Sequence, residues 1–470
     1  MKRLVLALCA IMALVCAQVV YSDVIRTGGV NTELIPLMTN GPADERINIV
    51  FVPEFYGNRR SEFVADVDLI KDALFEVEPF KTYKKRFNTS AIWMTFDESP
   101  VLPMLYFCGY VNDIGRCINY DNMYLSRNIV GRYYPVKNTA IVFLTYNAGS
   151  GFGDWTSGWP NGPICYTEVG MIELHDSTSF PLESVFHKRS LVHEFGHAFG
   201  LLGDEYTNTA TPKRARGDEL TEDGRIFPNL TFESRRDRIR WKNWIEPTTP
   251  MPTPDTPVNR NMVGAFESAM GYTYGIFRPM SACMMNNPST DHSVADKDPF
   301  CVVCREYLTK SISKFSVNLE GTDLTVGNTS TTFRADLVSG IGMGLEVKWM
   351  VDSTVVSSRV VSSGADSFRV NENDISIGTH TIRVEVRDTT SFVRSDPQRL
   401  LVESYEWQVV STPQPDFNND GRVNFEDFFL FGDAFGGNVA ENPNLRRFDL
   451  DSDGEIGFAD FFLFADSFRG

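Results

Sequence analysis

The sequence predicts a multidomain chain: an α/β domain, an all-β immunoglobulin-like sandwich, and a small α-helical module built on paired loops. Three observations predict it. Apolar strand-like and helix-like segments alternate before about residue 310, which is an α/β order. From residue 311 the texture changes to short alternating segments separated by Gly, Ser and Asn, the pattern of a sandwich. Residues 413–470 then contain an internal repeat.

In the first region, Arg46–Val52 is a compact apolar run and a predicted buried strand. Ser61–Phe75 has helical periodicity through Phe63, Val64, Val67, Ile70 and Leu74. Ala91–Met94 and Asn138–Tyr146 read as two more strands, and a helix over Leu191–Phe199 follows some forty residues later. Residues 207–262 are loop-rich and hold seven prolines, which suits a stretch that wraps a surface or shapes a rim. Phe300–Ser313 reads as a last helix with Cys301 and Cys304 at its start. Beyond it, Phe315–Leu319, Leu345–Val351, Val355–Val361 and Thr379–Val386 are the predicted sandwich strands, with Trp349, Ile382, Val384 and Val386 as core positions. The domain boundaries read as 1–22 (a signal peptide), 23–310, 311–412 and 413–470.

Composition narrows the function classes. The chain has 470 residues, 42% hydrophobic and 22% charged, which is globular composition. A formal net charge of −17 disfavours nucleic acid as a partner. Residues 413–470 carry twelve acidic and four basic residues, so a net of −8 sits in the tail. Lys2-Arg3 precede an apolar run from Leu4 to Ala17, with small-residue cleavage sites at Val15-Cys16-Ala17 or Val20-Tyr21-Ser22, which reads as a secretory signal. The run is short for a membrane span, and neither Cys9 nor Cys16 follows a small residue as a lipid anchor would require. Cys108, Cys117, Cys165, Cys283, Cys301 and Cys304 remain, an even count that in an exported chain is most simply read as disulfides. Cys301-x-x-Cys304 also suits a metal or redox motif, but no second C-x-x-C accompanies it.

The chemistry concentrates at His193-Glu194-Phe195-Gly196-His197. Two histidines at i and i+4 lie one turn apart on one helix face and can hold one Zn²⁺. Glu194 beside the first is placed to take a proton from a metal-bound water. The same pattern occurs by chance on amphipathic helices, where the histidines are ordinary polar-face residues. Three details oppose that: the apolar positions Leu191, Val192, Phe195 and Phe199, Gly200 where a helix would end in a left-handed turn, and the oxygen ligands Asp204 and Glu205 beyond it. The expected zinc ligands are His193, His197 and Asp204, with Glu194 as general base. Glu205 is the alternative ligand, or a group that supports a histidine.

The opening His-Glu-x-x-His-x-x-Gly resembles the metzincin zinc peptidases. That clan commonly places its third ligand three residues past the glycine, where this chain has Gly203. A distant helical glutamate, as in gluzincins, suits the sequence less because Gly200 suggests that the helix stops. A wider set of segments is similar to the IgA-peptidase-type family of secreted metallopeptidases: Glu78–Lys81 with Phe87-Asn88, His193–Tyr206, Val263–Glu267, Phe277–Pro279 through Cys283-Met284-Met285, and Phe300–Arg305. The resemblance implies a zinc endopeptidase with a methionine turn under the metal, at Met284 or Met285. It implies nothing about IgA as the substrate. A strand-adding site for substrate is expected beside an edge near Ile141–Tyr146. The rival reading is a secreted adhesion or surface-binding protein whose metal site is structural or vestigial, and Glu194 separates the two because a structural site does not need it.

In the tail, residues 416–437 and 449–470 share 12 of 22 positions. Each copy has oxygen side chains at loop positions 1, 3, 5 and 12 and glycine at 6, the spacing of a Ca²⁺ loop. The candidate calcium residues are Asp416, Asn418, Asp420, Arg422, Asn424 and Asp427, then Asp449, Asp451, Asp453, Glu455, Gly457 and Asp460. Asp-rich surface turns are the plain alternative, which two copies in register disfavour. The repeat resembles a dockerin-type calcium module, which implies a cohesin-like partner; a cell-surface role or a purely structural pair stands equally open.

Overall fold

The computed structural model describes residues 30–468 except 55, 97–104, 108–115, 119–128, 136–137, 147–151, 155–170, 177–184, 208–211, 216–220, 223–224, 287–298, 327–329, 363, 372–374, 376–377, 412 and 419. The expected signal segment, Cys108 and Cys165 therefore lie outside the described residues, as do the details of Cys117's side chain. The described chain forms two compact units. One takes residues up to Asn318 together with Val338–Met343 and Thr389–Leu401; the other takes Leu319–Leu337, Gly344–Asp388 and Val402 onward.

The first unit is organised by a six-stranded sheet. Its strands are β1 (Val30–Met38), β2 (Ile47–Glu54), β3 (Phe87–Phe96), β6 (Thr139–Tyr146), β7 (Phe152–Asp154) and β8 (Met171–Asp176), while β4 (Leu105–Phe107) and β5 (Arg116–Ile118) pair separately. The order is β1-β3-β2-β6-β8-β7. The four inner strands run parallel, and β1 and β7 close the two edges antiparallel. Strands covered on both faces read as continuous apolar runs, which is why β2 and β6 were legible from sequence. The helix α1 (Arg60–Ile70) buries Phe63, Val67 and Ile70, with Phe63 5.7 Å from Trp93 of β3. At one end of the sheet, buried asparagines tie strand to strand: Asn88 Nδ2 donates to Asn48 Oδ1 at 3.0 Å, and Asn138 Nδ2 to Arg46 O at 2.6 Å. Each satisfies polar groups that would be costly to bury bare.

The strand expected to offer a free edge, Ile141–Tyr146, is interior. β6 pairs with β2 on one side and β8 on the other, so its backbone groups are already spent. The edge beyond β8 belongs to β7, a three-residue strand too short to announce itself in sequence.

The helix α2 (Val185–Gly200) lies against β7 and β8. Its apolar side meets an aromatic cluster: Phe195 stands 5.4 Å from Phe80 and 5.2 Å from Phe199, and Phe80 stands 6.1 Å from Phe300. Gly200 does not supply the left-handed residue expected of it. Gly200 is the last helical position and Leu201 takes φ 53°, closing the helix with a bond from Leu201 N to His197 O at 3.0 Å. Glycine is needed at 200 for another reason: a Cβ there would lie 2.6 Å from Leu308 Cδ2. Leu308 belongs to α3 (Val302–Phe315), which starts just after Cys301.

Between α2 and α3 the chain makes β9 (Thr221–Glu222) with β10 (Arg225–Ile226), a long irregular stretch, and the hairpin β11 (Phe266–Ala269) with β12 (Tyr272–Arg278). The second unit holds β13 (Leu319–Val326), β14 (Ser330–Leu337) and β17 (Gly364–Asn371) in one antiparallel sheet. Its other sheet runs β16 (Thr354–Val361), β15 (Leu345–Val351), β18 (Gly378–Asp388) and β19 (Val402–Ser411). Phe333, Leu337, Val347, Trp349, Val370, Ile382 and Val384 form one buried core from both sheets. Phe315 ends α3 rather than opening a strand, so β13 begins four residues later than expected. The tail holds α4 (Phe425–Ala434) and α5 (Phe458–Ser467), with Phe417, Phe431, Phe448, Ile456 and Phe464 buried between them.

Gly196 has no room for a side chain: a Cβ there would lie 2.8 Å from Met285 Sδ and 3.0 Å from Phe300 Cε1. Gly196→Ala should gain about 1 kcal/mol of helix propensity and lose about 1–3 kcal/mol to overpacking. Its denaturation midpoint is expected to fall, whereas Gly432→Ala in α4, where nothing lies within 4 Å, should raise stability. Equilibrium denaturation of the two variants checks the contrast.

Candidate metal centre and active site

The site begins with where two buried imidazoles place their protons. His193 and His197 are 2% and 5% exposed, so each ring nitrogen needs a partner. His193 Nδ1 lies 2.9 Å from Met284 O, and His197 Nδ1 lies 2.6 Å from Leu202 O. A carbonyl can only accept, so both Nδ1 atoms carry the hydrogen. Both Nε2 lone pairs then face inward, 3.1 Å from each other.

The third atom of the cluster is Asp204 Oδ1, 3.2 Å from each Nε2. Three atoms that act as acceptors in this tautomer thus meet at one point, with Asp204 Oδ1 buried between the two rings. Only a cation, or protons in its place, reconciles such a set. Ligands about 2.0–2.1 Å from a tetrahedral Zn²⁺ stand about 3.3 Å apart. The observed triangle of 3.1–3.2 Å fits that ion, and the donor set is the one zinc takes in catalytic sites.

Gly203 is explained by packing. A Cβ there would lie 2.6 Å from Leu230 Cδ1 and 2.8 Å from Phe227 Cγ. The backbone at 203 is pressed against this wall and held by Asn229, whose Oδ1 accepts from Gly203 N (2.8 Å) and whose Nδ2 donates to Gly203 O (2.9 Å). With 203 pinned, the next side chain, Asp204, turns to the histidines. Glu205 points elsewhere. It is fully buried, accepts from Asn229 Nδ2 at 2.9 Å, and sits against Cys304 Sγ at 3.1 Å. Burial holds its carboxyl well above the ordinary range, with the field of Cys283 adding to the shift.

Met284 and Met285 both serve this arrangement. Met284 O receives the His193 proton, Met285 O accepts from Glu205 N at 2.7 Å, and Met285 Sδ lies against Gly196 of α2. Glu194 is partly buried, its Oε2 4.0 Å from His197 Nε2 and without a hydrogen-bond partner. Tyr206 stacks on His193 with ring centroids 6.5 Å apart, and burial, then the neighbouring Asp204 charge, raise its hydroxyl above the usual range.

Asn229, Leu202 O and Met284 O were not visible in the sequence. Asn229 lies in the proline-rich stretch with no motif around it, and carbonyl acceptors leave no trace in residue identity. The expected disulfides are not formed where they can be seen: Cys283, Cys301 and Cys304 are buried free thiols.

In the tail, Gly421 and Gly454 take φ 83° and 92°, the sharp turn of loop position 6. Asp416 Oδ2 accepts from Gly421 N at 2.7 Å, and Asp449 Oδ2 accepts from Gly454 N at 3.0 Å. Asp427 Oδ2 receives Asn424 N at 3.0 Å, and Asp460 Oδ2 receives Gly457 N at 2.7 Å. Asp449, Asp451 and Asp460 bring oxygens together in the second loop. Burial raises the Asp449 carboxyl, and Asp460 and Asp453 add like charge. Asn418 and Asp420 face the first loop and hydrogen-bond within it, and Asp453 does so in the second. Arg422 and Glu455 offer backbone N–H to their loop aspartates rather than side chains.

Without a metal, burial alone would lower the His197 pKa, but the Asp204 charge and hydrogen bond, with Glu194, raise it to about 9. Asp204 is held below its ordinary range, because the charge of His197 and bonds to both histidines outweigh burial. A metal ion must therefore displace a proton below pH 9. Zinc affinity should rise about tenfold per pH unit as pH approaches 9, and zinc addition should release acid. Competition titration against a chelator at several pH values checks this.

No curated protein matches the chain. Among solved structures it is similar, at 20% identity, to a type II cohesin–X-dockerin complex from Acetivibrio cellulolyticus (an N-terminal interface mutant), over 28% of this chain and 83% of that chain, with a TM-score of 0.10. It is similar at 8% identity to an FMN-binding beta-glucuronidase from Facaelibacterium prausnitzii L2-6, over 62% of this chain and 38% of that one, with a TM-score of 0.13. Neither likeness is close enough to speak to the fold. The family comparison does bear on the site: residues 35–261, the span that holds His193, Glu194, His197 and Asp204, match the family model described as IgA Peptidase M64, and this match supports reading the segment as a metallopeptidase.

Proposed function

We propose that the chain is an exported zinc-dependent endopeptidase of metzincin-like build, with residues 23–310 as the catalytic domain, an immunoglobulin-like sandwich over 311–412 and a dockerin-like calcium module over 413–470, after a signal peptide at 1–22. The observation that carries the reading is the convergence of two imidazole Nε2 atoms and Asp204 Oδ1 within 3.1–3.2 Å of one another, beside a carboxylate with an unpartnered oxygen. His193, His197 and Asp204 would hold the zinc; when bound, it polarises a peptide carbonyl and acidifies a water.

The remaining chemistry belongs to the chain's own groups. Glu194 takes the water proton and passes it to the leaving amine. The Met284 and Leu202 carbonyls keep both imidazoles in one tautomer and one orientation throughout, and Asn229 keeps Asp204 in place. An extended peptide would add to the β7 edge, which stands next to α2 and is paired on one side by β8. A structural metal site would have no use for Glu194, so the adhesion reading is disfavoured.

Glu194→Gln should keep zinc at full occupancy and lose cleavage of casein or peptide by about 10²-fold or more, the scale of a lost general base. Equal activity in the two proteins would overturn the proposal. Asp204→Ala should lose both zinc and activity.

The tail is proposed to bind two calcium ions through Asp416, Asn418, Asp420 and Asp427 and through Asp449, Asp451, Asp453 and Asp460, with the carbonyls of residues 422 and 455 at position 7 and residues 424 and 457 at position 9. Phe425, Phe429, Phe458 and Phe462 are 63–70% exposed and recur at the loop offset, which suits a cohesin-like or cell-surface partner. Asp460→Ala in the full chain should lower the calcium stoichiometry from two to one by equilibrium dialysis.

A further inference from the structure

A second cluster lies on the far side of Asp204. Cys283, Cys301, Cys304 and Glu205 each bring a ligand atom within 4.8 Å of the others, and all four are at most 5% exposed. Cys283 Sγ and Cys304 Sγ are 3.7 Å apart, and Cys304 Sγ is 3.1 Å from Glu205 Oε1. Thiolates about 2.3 Å from a tetrahedral Zn²⁺ stand about 3.8 Å apart, so the sulfur pair already has the spacing of two corners. Backbone N–H groups point at the sulfurs: Cys301 N to Cys283 Sγ at 3.3 Å, and Cys304 N to Cys301 Sγ at 3.5 Å. Such donors favour thiolate over thiol.

Glu205 supplies the independent observation. Its carboxyl is wholly buried, and Oε2 has no hydrogen-bond partner. A bare buried carboxyl oxygen is costly, and one disulfide would leave it and a third cysteine equally unmatched. A cation bound by all four groups removes both problems at once.

We infer that Cys283, Cys301, Cys304 and Glu205 form a structural site for a thiophilic divalent cation, zinc by preference, separate from the His193/His197 site. The thiols and the carboxyl release their protons to solvent as the ion enters, with no change of oxidation state. The ion would cross-link three segments that hold the other site: the irregular segment carrying Asp204 and Glu205, the turn carrying Met284 and the start of α3. Four protein ligands leave no open position, so this ion has no catalytic task.

The full chain loaded with Co²⁺ tests this. Wild type should show thiolate-to-cobalt charge-transfer absorption in the near ultraviolet and bind two ions outside the calcium loops. Cys301→Ser/Cys304→Ser should lose the band and one ion. His193→Ala/His197→Ala should keep the band and lose the other ion, which separates this inference from the proposed catalytic zinc. A wild-type spectrum without the band, a band that survives in the cysteine variant, or a peptide map linking any two of Cys283, Cys301 and Cys304 by a disulfide would overturn it. The wild-type spectrum and the map need no variant to fold.

Discussion

Everything at the candidate site depends on two carbonyl oxygens, those of Met284 and Leu202, taking the Nδ1 protons of two buried histidines. Each bond is worth about 1 kcal/mol of net stability, yet its larger effect is directional. It decides which nitrogen is a lone-pair donor and where that lone pair aims. Leu202 O is available because α2 stops at Gly200 and Leu201 turns left-handed. Met284 O is available because the turn that carries it packs against α2 at Gly196. The helix, its stop and the turn are therefore one device.

The sequence revealed the parts of this device whose signal is local. Helical spacing marked His193 and His197, and the acidic pair beyond Gly203 marked the third oxygen. The structure brings Asp204 to the histidines and sends Glu205 the other way, a distinction that depends on how Leu230 and Phe227 crowd residue 203 from some 25 positions downstream. No pattern near residue 203 encodes that wall. Likewise, the fully buried strands β2 and β6 were legible as apolar runs, whereas the short edge strand β7 and the hairpin β11–β12 were not. The assumption that Ile141–Tyr146 was an edge failed because an apolar run says that a strand is covered, not which neighbours cover it.

Cysteine was the residue type most open to misreading. An even count after a signal-like segment favours cross-links, and the thiols that can be seen are unlinked and gathered around a carboxyl. What sequence could not supply was Glu205 as their neighbour, 99 residues away from Cys304. Paired with three sulfurs, a carboxylate changes the arithmetic from an odd thiol to a closed set of four.

The same separations have a consequence for how the chain matures. His193 and its carbonyl partner are 91 residues apart, and Glu205 and Cys304 are 99 apart. A growing chain that has exposed the whole α2 segment still lacks the acceptor that orients His193 and the sulfurs that enclose Glu205. Contacts of such long range form late, after the loop between them has been ordered. His197 thus finds its acceptor within five residues, whereas His193 is given its direction only once the Met284 turn has emerged, so that competence arrives with completion of the unit rather than with synthesis of the motif.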